Sequence, residues 1–228
     1  MSDLAQRLAW LDEGSELFLA ELETVRDSDF GDDTALPGWT VAHLVAHVGY
    51  NAKALSRLVH WARTGEETPM YASAEARDSE IEAGSRLLAL ELRDLVRETD
   101  DRLRTELAGL SSWDSEVRTA QGRTVTADEI PWMRVREVWI HTVDLGTGKD
   151  FRDFPVALLE ALITDNVTLR AQRDQGPALL LRAEDTDREW RIDRGNEEPT
   201  VVAADSAELC RWLAGRGAID GPELARWL

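Results

Sequence analysis

Through the first 145 residues of this 228-residue chain, apolar side chains recur at the three-to-four-residue interval of an α-helix, and no other feature restricts the possible folds as strongly. Leu4, Leu8, Leu11, Phe18, Leu22 and Val25 place one helix over residues 3–27. Gly31-Asp32-Asp33 and then Pro37-Gly38 end it. Thr40 stands where an N-cap belongs for a second helix, which carries Val41, Leu44, Val45, Val48, Leu55 and Val59 and stops near Gly65. Ser73 caps a third, with Ile81, Leu88, Leu92, Leu95, Leu103 and Leu107 on its buried face. Thr126-Ala-Asp-Glu129 has the spacing of a capping box, with Pro131 in the first turns of a fourth helix that runs to about Leu145. Four long helices of alternating direction make an up-down four-helix bundle.

Between the third and fourth helices, Val117–Val125 carries β-type residues around Gln121-Gly122 and reads as a small hairpin or an ordered loop. Residues 146–155 read as a linker. Beyond it come a helix over about 155–172, three short β-like runs at Ala178–Ala183, Glu189–Ile192 and Thr200–Ala203, and a helix capped by Ser206 that ends at Leu213. The fold class expected is therefore α+β, with the bundle in residues 1–148 and a small α+β domain in 155–228.

Composition narrows the function. Forty-four acidic residues against 26 basic ones give a net charge of −18, which repels nucleic-acid backbones and anionic membranes. Lys53 and Lys149 are the only lysines, so the basic residues are mainly planar arginine forks suited to carboxylates. No apolar run has the length of a membrane span, and the N-terminus lacks a basic region followed by an apolar stretch. Cys210 is the single cysteine and sits in an apolar helical pattern, which is more often a core position than a nucleophile. A cytoplasmic monomer with no nucleic-acid or membrane partner is expected.

The four histidines are His43, His47, His60 and His141. His43 and His47 are four apart on the second helix, as Glu137 and His141 are on the fourth, so each pair shares one helix face. On the fourth helix Arg134, Glu137, His141 and Asp144 fall in one narrow sector, opposite Trp132, Val135, Trp139 and Val143. A carboxylate in so apolar a helix calls for a cation, either a metal or a salt bridge. The same spacing on a helix surface is ordinarily an ion pair, and the pattern alone leaves both open. Two imidazoles and one carboxylate would leave a tetrahedral zinc one free position, the arrangement of a catalytic site. Nickel and iron suit the same donors.

Pro37-Gly-Trp-Thr-Val-Ala-His-Leu-Val-Ala-His47 and Arg136-Glu-Val-Trp-Ile-His-Thr-Val-Asp144 resemble the two metal motifs of the mycothiol-dependent maleylpyruvate isomerases, which are DinB-like bundle metalloproteins. The resemblance extends through Tyr50-Asn-Ala, through the stretch from His60 to Tyr71, and through Thr119–Val125. It is thinner in the C-terminal part, where it rests on Arg211-Trp-Leu-Ala-Gly-Arg216-Gly. It implies zinc ligands at His47, Glu137 and His141, with His43 in a supporting or packing role and a functional arginine at Arg216.

The activity implied is the conversion of maleylpyruvate to fumarylpyruvate in the gentisate route of aromatic degradation, with mycothiol as cofactor. Rotation about C=C is forbidden until the bond loses its double character. Addition of a thiolate to the conjugated alkene creates a single bond, and rotation followed by thiolate expulsion gives the trans isomer. In this reading Asp144 orients a ligand histidine or accepts a proton, and Arg216 and Arg123 hold the dicarboxylate substrate or the cofactor. Two other functions fit the same residues. One is a mycothiol S-transferase acting on electrophilic xenobiotics. The other is a non-enzymatic metalloprotein that binds a small ligand.

Overall fold

The computed structural model describes residues 2–173 and 176–224, and within them the chain divides after Gly148 into two compact units. The first unit contains α1 (Leu4–Thr24), α2 (Val41–Thr64), α3 (Ala74–Gly84), α4 (Ala89–Ala108), the hairpin β1 (Glu116–Arg118) and β2 (Thr124–Thr126), and α5 (Glu129–Asp144). The second contains α6 (Val156–Gln172), β3 (Leu179–Ala183), β4 (Glu189–Ile192), β5 (Thr200–Ala204) and α7 (Ser206–Leu213).

The helix expected from Ser73 onward is two helices. Ser73 does cap α3, accepting from the Ala76 amide at 3.1 Å. A Cβ on Gly84 would collide with Tyr50 and Ala46, so this glycine lets the end of α3 lie directly on α2. The chain then breaks, and α4 starts afresh when the Glu91 carboxylate accepts from the Leu88 amide at 2.8 Å. Leu88 is consequently 71% exposed and not part of the core. Because the segment from Gly65 through α3 returns the chain to the end where α2 began, α2 and α4 run parallel. Gly49 of α2 faces Leu95 of α4, and Ser112, just past α4, donates to the Ala62 carbonyl near the other end of α2. α1 and α5 are parallel too, with Arg7 2.8 Å from Glu129 and Gly14 against Trp139. The four long helices thus run up, down, down, up in chain order, where strict alternation was expected. Each of α1 and α2 packs between α4 and α5.

Smaller differences have local causes. Val25 is the C-cap of α1, so the first helix ends at Thr24. Thr126 belongs to β2 and its hydroxyl bonds Asp128, so the capping box expected there does not form and α5 begins at Glu129. The hairpin forms with Val117 opposite Val125, and Gly122 supplies the positive φ of 81° that its turn requires.

In the second unit the stretch expected as a linker carries a 3-10 turn at Phe151–Asp153 whose Phe151 is fully buried, with Phe154 also buried. The three-stranded sheet has the order β4-β3-β5, antiparallel then parallel. Asp205, not Ser206, caps α7 by accepting from the Glu208 amide at 2.7 Å, while the buried Ser206 bonds Asp185 at 2.8 Å. Cys210 is buried in α7, and burial pushes its thiol far above the ordinary range. Native protein is therefore expected to resist iodoacetamide at about pH 8 and to alkylate rapidly once unfolded. Fast alkylation of the native protein, followed by mass spectrometry, would show α7 opening on its own.

Among the described residues, no helix is long and apolar enough to cross a membrane.

Candidate metal centre

The site sits where α2 begins and α5 ends. The i,i+4 spacing puts Glu137 and His141 on the α5 face that meets α2, and the antiparallel run of α2 brings His47 opposite them. One carboxylate oxygen, Glu137 Oε2, lies 2.9 Å from His47 Nε2 and 3.2 Å from His141 Nε2. The two imidazole rings stand edge to face with centroids 5.1 Å apart. One ligand atom from each of the three residues lies within 4.8 Å of the others.

Electrostatics fit a cation. Burial opposes the Glu137 charge, yet His47 and His141 outweigh it and hold the carboxyl well below its usual range. Burial keeps His47 neutral by pushing its pKa down against the pull of Glu137. For His141 burial acts the same way but is overcome by Asp144 and Glu137, so its pKa is raised. Asp144 Oδ2 lies 2.8 Å from His141 Nδ1 and is itself buried. A carboxylate on Nδ1 holds the ring with Nε2 toward the cluster, as in the carboxylate–histidine pairs that support metal ligands. Two nitrogens and one oxygen, all turned to one point, suit a divalent first-row metal.

The expected polar sector of α5 thus faces the bundle interior, with Arg134, His141 and Asp144 buried and Glu137 partly exposed. Arg134, with no exposed surface, donates to Asp100 at 2.9 and 3.2 Å, to the Val48 carbonyl at 2.8 Å and to Asn51 at 3.0 Å. Ser15 adds a hydroxyl to Asp100 at 2.9 Å. The hydrogen bonds tie all four long helices together one turn from Glu137. On the opposite face Trp139 donates to the Trp10 carbonyl at 2.8 Å.

His43 stays out of the cluster. Its Nδ1 lies 3.2 Å from the Thr40 amide and 2.8 Å from the Thr40 hydroxyl, so it caps α2, and its Nε2 lies 3.3 Å from Glu82. His60 is partly exposed, 3.8 Å from Glu66. Arg123 is exposed on the β1–β2 turn, beyond the N-terminal end of α5, and the structure does not bring it to the cluster. Arg216 follows α7 in the second unit and donates to the Ala214 carbonyl at 2.6 Å.

Three residues not singled out in the sequence do reach the site. The Trp39 ring lies 5.1 Å from that of His47. Arg77 Nη2 lies 3.5 Å from His47 Nδ1. Tyr71 is close enough to Glu137 and Arg77 to feel both: burial and then the Glu137 charge push its hydroxyl up to about 12, against the influence of Arg77. No spacing signal marks Tyr71 or Arg77: Tyr71 lies in the loop before Ser73, and Arg77 lies on α3, which periodicity merged with α4.

Residues 11–146 match the model of the mycothiol maleylpyruvate isomerase N-terminal domain. Among solved structures, the chain is similar to a mycothiol-dependent maleylpyruvate isomerase at 41% identity and a TM-score of 0.93, covering 99% of this chain and 98% of that one. A histidine-to-alanine variant described under the same enzyme name matches at 40% identity with the same TM-score and coverage. An uncharacterised protein from Clostridium difficile 630 shares the fold at 12% identity and a TM-score of 0.53, over 64% of this chain and 95% of that one. No curated protein matches. By its family match and its likeness along nearly its whole length, the chain belongs to the mycothiol-dependent maleylpyruvate isomerase family.

Proposed function

We propose that this chain is a zinc- and mycothiol-dependent isomerase that converts maleylpyruvate to fumarylpyruvate, a step of the gentisate route. The observation that carries the proposal is the His47–Glu137–His141 cluster in a chain 41% identical to an enzyme of that name. His47, Glu137 and His141 would hold the zinc. Bound there, zinc would supply a Lewis-acid position that keeps a thiol deprotonated or polarises a carbonyl oxygen, while mycothiol would supply the nucleophile.

The chain's own residues prepare this. Asp144 accepts the Nδ1 proton of His141 and so leaves the Nε2 lone pair for the metal. Glu137 stays ionised between two imidazoles. The Trp39 ring lies against that of His47. Arg216 is proposed to clamp a substrate carboxylate with its planar fork.

The test is metal analysis of the purified protein, then incubation with maleylpyruvate with and without mycothiol. Fumarylpyruvate formed only with mycothiol, and mycothiol recovered unchanged, is the expected result. Consumption of mycothiol would make the protein an S-transferase, and absence of any turnover would leave a ligand-binding metalloprotein.

Arg216 has its own test, because the Ala214 contact is also what an arginine does at a helix C-terminus, worth about 0.3–1 kcal/mol. Arg216→Ala and Arg216→Lys should both lower kcat/KM strongly with zinc content and melting temperature nearly unchanged. A destabilised Arg216→Ala with intact activity per folded molecule would reduce the residue to a helix cap.

A further inference from the structure

The isomerase reading requires a dianionic substrate to approach a chain of net charge −18, at a cluster that already contains Glu137 and Asp144. Arg123 lies on the distant hairpin, so a cation on the bundle itself has to come from elsewhere. Arg77 touches a member of the cluster, His47.

Arg77 is placed by the local fold. Ser73 starts α3 and Gly84 presses the end of that helix onto α2, with Arg57 and Glu80 3.7 Å apart across the same contact. Arg57 also holds the Met70 carbonyl, and the buried Met70 side chain anchors the chain just before Tyr71. Tyr71 and Arg77 thereby arrive together beside His47 and Glu137. The Arg77 side chain is one-third exposed, and its ion-pair partner, Asp78 at 2.9 Å, is 72% exposed and weakly held.

The contact with His47 would change with a cation bound at the cluster. With His47 Nε2 donating to Glu137, Nδ1 carries a lone pair that Arg77 can use. A neutral imidazole that gives Nε2 to a metal must carry its proton on Nδ1, and a protonated Nδ1 accepts nothing. Arg77 would then lose that acceptor, which leaves one N–H for another.

We propose that Arg77 and Tyr71 form a carboxylate-binding subsite beside the metal cluster, which takes one carboxylate of the substrate. The proposal rests on the isomerase reading for the identity of the substrate, and on the contacts above for the subsite. The guanidinium supplies a charged fork, and the phenol of Tyr71 a hydroxyl donor.

The experiment uses metal-loaded protein and succinate, an unreactive dicarboxylate, titrated by calorimetry. Arg77→Ala, Arg77→Lys and Tyr71→Phe are compared with the parent protein, with metal content measured for each. Arg77→Ala is expected to weaken succinate binding, and to raise KM for maleylpyruvate, by about tenfold to a hundredfold with metal content retained. Arg77→Lys should recover only part of this, and Tyr71→Phe should cost less than Arg77→Ala. Should Arg77→Ala fail to fold, Arg77→Gln removes the charge while keeping an N–H donor, and the same loss is expected. Parent-like succinate affinity in a metal-loaded Arg77 variant overturns the subsite. Turnover of maleylpyruvate with unaltered KM in that variant overturns the subsite and leaves the isomerase reading standing. Arg77-dependent succinate binding by a protein that does not isomerise maleylpyruvate overturns the isomerase reading and leaves the subsite standing.

Discussion

His47→Ala is expected to purify with little metal and to lose isomerase activity by orders of magnitude, while keeping a folded helical bundle. Removing one of the three proposed ligands would leave only Glu137 and His141 to hold the cation, and both come from α5. The bundle survives because its fixed points lie elsewhere, in the Arg134–Asp100 network and in the apolar contacts between helices. Metal content and far-ultraviolet circular dichroism measured on the same sample check the two halves of this expectation. Full zinc retention in His47→Ala would remove the ligand assignment. Loss of metal in His43→Ala would make His43, not His47, the ligand from α2.

The largest stability effect is expected at Arg134 and Asp100. Both side chains are essentially without solvent, so truncating one leaves the other as an uncompensated buried charge. Arg134→Ala or Asp100→Ala should lower the free energy of unfolding by about 3–5 kcal/mol in urea titrations. An apolar pair of similar volume, Arg134→Met with Asp100→Leu, should recover much of that loss. If either single substitution costs less than about 1 kcal/mol, water must reach this network, and the bundle centre is looser than its packing implies.

What the sequence made legible and what it hid divide along a physical line. Helix spacing exposes any residue that works from a regular face, which is why Glu137, His141 and Asp144 could be placed on one side of α5. It could not separate His43 from His47 without the family resemblance, since both occupy nearly the same face. The distinction is made by Thr40, whose amide and hydroxyl capture His43 as a cap. Periodicity failed at Gly84, because α3 and α4 happen to continue one apolar register across the break. Glu91, three residues after Leu88, was the available sign of a new helix start. Missing that break hid the return of the chain along α2, and with it both the order of helix directions and the arrival of Tyr71 and Arg77. In the second unit the strands were legible to within a residue, whereas Phe151 and Phe154 were hidden in a glycine-rich stretch read as a linker.

Cys210 bears on how such a protein would fare in the cell. A cofactor thiol exists in equilibrium with its own disulfide, and that disulfide exchanges with any accessible protein thiolate to leave the protein covalently blocked. The only sulfhydryl of this chain is buried inside α7, with its ionisation strongly suppressed. A folded molecule therefore offers no attachment point for the oxidised cofactor. Oxidative stress would starve the enzyme of reduced thiol without trapping it as a mixed disulfide, and catalysis would resume once the pool is reduced again.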